Sequence, residues 1–175
     1  MDSNSSTQDA QKKVKPLTPK INELIASTKS VVLATIDTKG KPTASYAPYV
    51  RVNNTFYVLV SFMAKHTKNL LNGQASMMFI EDESATKQIY ARERLTFDTV
   101  TSQIERDSDL WNEVLPQLKE THGKVLDILS EMQDFILIQL TPTAGNYVNG
   151  FGSAYIVDEN IEVVQHRNDV NHQTK

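Results

Sequence analysis

Two strand-like runs flanking an acidic insert give the chain its central pattern. Ser76-Met77-Met78-Phe79-Ile80 is almost wholly apolar, which suits a strand buried on both faces and, being short, also suits a turn or two of helix. Glu81, Asp82, Glu83 and Ser84 interrupt it. Beyond them Leu95 and Phe97, with Val100 further on, put apolar residues at strand spacing, and Arg92 and Arg94 at the start of the run fall on one face. The pattern predicts a barrel-like core with a guanidinium pair at its mouth.

The flanking segments extend that picture. Ile21, Leu24, Ile25 and Thr28 recur at helical spacing between Pro19 and Lys29, and Pro19 suits a first turn. Val31 to Ile36 is a β-branched run closed by the polar turn Asp37 to Pro42. Thr43 to Val50 follows, with Pro48 demoting its middle to an edge or a bulge, and Asn53-Asn54 turns the chain into Phe56 to Val60. Three strands joined by short turns predict an antiparallel meander.

The period then changes. Met63, Leu70 and Leu71 predict a short helix ended by Gly73. Asp107 to Leu118, holding the only Trp, predicts a second helix with Leu110, Trp111, Val114, Leu115 and Leu118 as its apolar face despite Pro116. Val125, Leu126, Ile128 and Leu129 add another turn or two. Asp134 to Leu140 is an apolar strand headed by an acid and stopped by Pro142. Three glycines among aromatic and β-branched residues between Gly145 and Val157 suit strands turning a barrel corner. Ile161, Val163 and Val164 suggest one last strand before a polar tail. The expected class is mainly β with flanking helices, in one domain.

Composition narrows the function classes. The 175 residues carry no cysteine, which excludes disulfides, thiolate metal sites and cysteine nucleophiles. A net charge of −3 and a pI near 5.8 argue against a nucleic-acid module. Neither a secretory h-region near the start nor an apolar run of spanning length appears, so a cytoplasmic protein without a membrane partner is expected. HExxH, GxSxG and P-loop patterns are missing too.

Four histidines stand out by scarcity. His66 lies with Lys65, Thr67 and Lys68 near the start of the short helix, a setting that suits an anionic group or equally a solvated first turn. His122 sits beside Gly123, and His166 and His172 are in the tail. Among 21 acids, Asp134 differs only in heading a long apolar run, and alone it reads as an exposed strand-start residue.

In the order of its segments the chain resembles the HutZ/HugZ haem-utilisation family, relatives of the pyridoxamine-5′-phosphate-oxidase flavoproteins with their FMN-binding-like split β-barrel. The resemblance runs from about Val31 onward. It is carried by Leu33-Ala34-Thr35-Ile36-Asp37, Ser45-Tyr46-Ala47-Pro48, His66-Thr67-Lys68-Asn69-Leu70, Met78-Phe79-Ile80-Glu81-Asp82, Ala91 to Phe97, Glu105-Arg106-Asp107-Ser108, Gln133-Asp134-Phe135 and Gly150 to Tyr155.

The resemblance implies a homodimer that binds haem b and opens it oxidatively to a linear tetrapyrrole with release of iron. A histidine of the C-terminal tail would ligate the iron; His172 is the match, with His166 as the alternative. The matching acid that reaches this imidazole from the partner subunit is Asp134. Arg92, Arg94, Lys65 and His66 become candidates for holding propionates or ordering water. An electron donor or a haem-delivery protein is the further expected partner. On this reading, residues 1–18 are a flexible N-terminal segment, 19–165 the split-barrel domain and 166–175 the haem-ligating tail. Two alternatives stay open: an FMN oxidoreductase using His66, Lys68 and Arg51 near a phosphate, and a haem carrier that leaves its cargo intact.

Overall fold

The computed structural model describes residues 17–167. Its elements are α1 (Leu17–Ser27), β1 (Ser30–Ile36), β2 (Pro42–Pro48), β3 (Val50–Val52), β4 (Thr55–Ser61), α2 (Lys65–Leu70), β5 (Gln74–Ile80), β6 (Arg94–Ile104), α3 (Asp109–His122), α4 (Val125–Leu129), β7 (Phe135–Val148), β8 (Ala154–Val157) and β9 (Val163–His166). The strands form one sheet in the order β2-β1-β5-β6-β7-β4-β3, with β8 and β9 continuing from β7. All pairings are antiparallel. The protein is mainly β, a sheet curled into a split barrel with helices on its flanks.

Curling follows from connectivity. The two ends of the main path, β2 and β3, are separated in sequence by Tyr49 alone, so the sheet must bend until its margins nearly meet. Tyr49 anchors that seam. Its amide donates to the Lys29 carbonyl, its hydroxyl donates to the Ile25 carbonyl at 2.6 Å, and its ring meets Phe56 and Phe79 edge-on at 5.6 and 5.3 Å. Ile21, Leu24 and Ile25 of α1 join Leu33, Phe56, Val58, Phe79, Leu95 and Phe97 in the barrel core.

β4 is buried along both faces because it serves two cores. Phe56, Val58 and Val60 point into the barrel, whereas Tyr57 and Leu59 lie beneath Trp111, Val114, Leu118 and Leu126 of the helical layer. That accounts for its unbroken apolar run.

Four expectations are corrected. The meander is not continuous: β1 pairs with β2 and β5, while β4 leaves for β7. β5 is buried on one face only, through Met77 and Phe79, because its other face borders an open groove lined by Val32, Met78, Ile80 and Arg92. Pro142 does not end its strand. The register steps from Asp98 opposite Ala144 to Thr99 opposite Pro142, which leaves Thr143 as a bulge residue, and a bulge is where a sheet tolerates a proline. Finally, Arg92 precedes β6 rather than sharing a strand face with Arg94. Of the glycines expected at a corner, Gly145 lies opposite Phe97, where a Cβ would come within 2.6 Å of that buried ring.

Candidate functional site

Where β4 ends, the chain makes a sharp turn into α2, and β7 begins beside it. Ser61 pairs with Phe135 in the ladder, which brings Asp134 against the turn. The Phe62 amide donates to the Asp134 carbonyl at 2.7 Å, and the Ser61 hydroxyl donates to the Asp134 carboxylate at 2.7 Å. The same hydroxyl accepts from the Met63 amide at 3.1 Å. Asp134 is half-buried and its carboxylate is held in one orientation, so it is more than an exposed strand-start residue. Carboxylates fixed this way are good acceptors for a cationic or N–H donor.

Around Asp134 the surface is unusual for a turn. Met63 is 87% exposed and Phe62 40%, side by side, with Lys65 exposed and His66 half-buried immediately after them. Apolar side chains next to cations suit a flat ligand with hydrophobic faces and anionic arms. α2 itself is only six residues long, and Ala64 supplies no side-chain cap. The helix is seated instead by Thr67, whose hydroxyl donates to the Ser61 carbonyl, and by Asn69, which donates to Thr35.

Burial pushes the His66 imidazole below its ordinary value of 6.5. The unfolded chain therefore takes up this proton first as pH falls, so stability drops from about pH 6.5 down to the folded value, and above about pH 6.5 the effect vanishes. Between about pH 7 and about pH 5.5 the melting temperature of His66→Gln is expected to decline less than that of the parent; parallel declines would show that this imidazole is not the cause.

The other expected site residues lie elsewhere. Arg92 donates to the Glu81 carbonyl at 2.6 Å and pairs with Glu83 at 3.7 Å, while Arg94 donates to the Arg92 carbonyl at 3.1 Å. Next to them the buried Tyr147 hydroxyl donates to the Glu93 carboxylate, and burial together with that carboxylate pushes the phenol up. Arg94 pairs with Val148 and Ile104 with Leu137, so the arginines and Asp134 lie at or beyond opposite ends of the β6–β7 ladder, roughly 45 Å apart along the strand path.

His166 lies at the arginine end. It belongs to β9 opposite Tyr155, which in turn faces Tyr147, and its ring packs on Tyr155 at 4.8 Å. His172 lies outside the described residues. The phosphate-binding trio expected for FMN is divided as well: Arg51 is in β3 opposite Phe56, at the far end of β4 from α2. Its guanidinium donates to Asn22, the Asn53 carbonyl and Asn54. His122 contacts the Tyr49 carbonyl at 2.8 Å, a structural position.

Sequence reading missed Ser61 and Phe62, and it gave Met63 to the short helix, which begins only at Lys65 and leaves Met63 exposed. The available signal was two large apolar residues in succession just where the strand period breaks.

A split barrel with an ordered carboxylate and a basic, apolar-lipped turn at one end defines the class. The chain belongs to the pyridoxamine 5′-phosphate oxidase family, whose family model matches residues 17–149. Within it, the chain is 49% identical over 142 residues to "Heme oxygenase HutZ" of Vibrio cholerae serotype O1, covering 81% of each protein. The crystal structure of HutZ, there called the heme storage protein from Vibrio cholerae, superposes with a TM-score of 0.68 at 48% identity over 71% of this chain and 88% of that one. Campylobacter jejuni ChuZ superposes with a TM-score of 0.81 at 28% identity, over 92% of this chain and 66% of that one. Among the described residues no helix is long and apolar enough to cross a membrane.

Proposed function

We propose that two copies of this chain bind haem b between them and open it oxidatively, with His172 of one copy ligating the iron and Asp134 of the other accepting that imidazole's second N–H. The observation that carries this reading is the fixed Asp134 carboxylate beside exposed Phe62 and Met63, the cation Lys65 and the imidazole of His66. These residues fit a haem: apolar side chains for its faces, a lysine and an imidazole N–H for its propionates, and an acid suited to the outer shell of an iron ligand.

The division between copies has a geometric argument. The described chain ends next to Tyr155 and Tyr147, whereas Asp134 adjoins Phe135 at the other end of β7, a strand path of roughly 40 Å. From His166 to His172 an extended backbone reaches roughly 20 Å. That strand path is longer than this reach, which favours an acid supplied by a second copy. Arg92 and Arg94 lie at the end from which the tail departs, so they and Lys65 with His66 would approach one haem from different subunits.

When bound, haem supplies the iron at which dioxygen is activated. The protein's contribution is to orient the imidazole: accepting its Nδ1–H or Nε2–H fixes the tautomer and raises the basicity of the ligating nitrogen. HutZ bears both an oxygenase and a storage description, and the same choice applies here. Haemin added to the purified protein is expected to give a saturable Soret band, and ascorbate in air is expected to bleach that band while iron becomes available to a chelator. A band that saturates but survives ascorbate would replace degradation with storage, and no band at all would remove haem from the account.

The family match itself favours a second reading, an FMN site built on His66 and Lys68. The separation and prior engagement of Arg51 count against it. A flavin spectrum in the purified protein would revive it.

A further inference from the structure

Arg106 follows β6 and has no role in the haem-binding reading above. Its guanidinium nevertheless makes the densest set of backbone contacts near Asp134. One amino group donates to the Ser130 carbonyl, and the other donates to the carbonyls of Met132 and Phe135 at 2.9 and 2.8 Å. The guanidinium carbon lies 4.6 Å from the centre of the Trp111 ring, a stacking partner anchored in the helical core. Residues 130–134 form neither helix nor strand, so the Ser130 and Met132 carbonyls lie outside any ladder or helix, and one side chain gathers both of them together with the carbonyl of Phe135, the first residue of β7.

We propose that Arg106 is the positioning residue for Asp134. It fixes the turn whose last residue is the acid, and thereby the angle at which the carboxylate meets the imidazole of a second copy. Asp134 is held from two sides: Ser61 and Phe62 take its carboxylate and its carbonyl, and Arg106 takes the carbonyl of the next residue, Phe135. Only a planar fork can serve three carbonyls while its central carbon sits over an indole. A lysine keeps the charge but neither the fork nor the stacking. The inference rests on the proposed role of Asp134, and its test separates the two.

The test compares the iron–histidine stretching band of the reduced haem complex, by resonance Raman, in the parent, Arg106→Lys, Asp134→Asn and the double variant. Asp134→Asn is expected to lower the band, Arg106→Lys to lower it by part of that amount, and the double variant to match Asp134→Asn alone, because Arg106 acts only through the acid. Amide exchange of the haem-free protein gives a second measurement. In Arg106→Lys the Phe62 amide, which donates to Asp134, is expected to exchange about tenfold faster, with core strand amides unchanged.

An Arg106→Lys band at the parental position, a double-variant shift equal to the sum of the single shifts, or unchanged Phe62 exchange would each overturn the assignment while leaving Asp134 in place. If Asp134→Asn itself left the band unmoved, the acid's role and the assignment would fall together.

Discussion

Replacing His172 with alanine is expected to weaken haem binding by at least about 100-fold, since loss of an outer partner of a metal ligand alone costs up to that much. The argument is one of donor chemistry. With no cysteine in the chain, histidine is its strongest donor for haem iron. Of the three described histidines, His122 is engaged with the Tyr49 carbonyl, His166 is part of β9 with its ring on Tyr155, and His66 is half-buried on α2. His166→Ala serves as the control and should leave the Soret titration unchanged. If His166→Ala abolished binding and His172→Ala did not, the iron ligand would move to β9 and the reach argument for a second copy would need a new starting point.

The largest effect on stability is expected at Phe56, where truncation to alanine should cost about 3–5 kcal/mol. Phe56 is fully buried. Its ring touches Tyr49 and Phe79, which also touch each other, and Tyr49 in turn holds α1 through the Ile25 carbonyl. The cavity would open where the margins of the sheet come together, and three rings locked by mutual contact leave little freedom to close it. The measurement is the urea midpoint, with an unchanged slope indicating the same unfolding reaction. A loss below about 1.5 kcal/mol would mean that the seam repacks and that the aromatic trio is not its anchor.

Much of the fold was readable because the sequence periods are clean. β1 alternates buried and exposed positions throughout, and Trp111, Val114 and Leu118 appear on α3 as their spacing demanded. What stayed hidden depended on partners distant in sequence. Nothing local says that β4 pairs with β7 on the side away from β3, or that Pro142 falls at a bulge where its missing N–H does no harm. Nor does the apolar run of β5 reveal that one of its faces borders open space. The site divides the same way. Asp134 and His66 could be picked out by position and residue type, whereas the Ser61 hydroxyl and the Arg106 fork meet Asp134 and its turn only through the β4–β7 register and the Ser130–Phe135 turn. Those contacts arise from tertiary structure and leave no mark in the hydropathy pattern.

The two-faced burial of β4 bears on how the molecule comes apart. Its alternate side chains are committed to the barrel and to the helical layer, so peeling α3 and α4 away exposes the back of a strand whose front is still packed, and opening the barrel strips the floor from under the helices. Neither half keeps a complete interior without the other. Heat or denaturant should therefore remove both layers together, in a single cooperative transition rather than by stepwise loss of an outer shell.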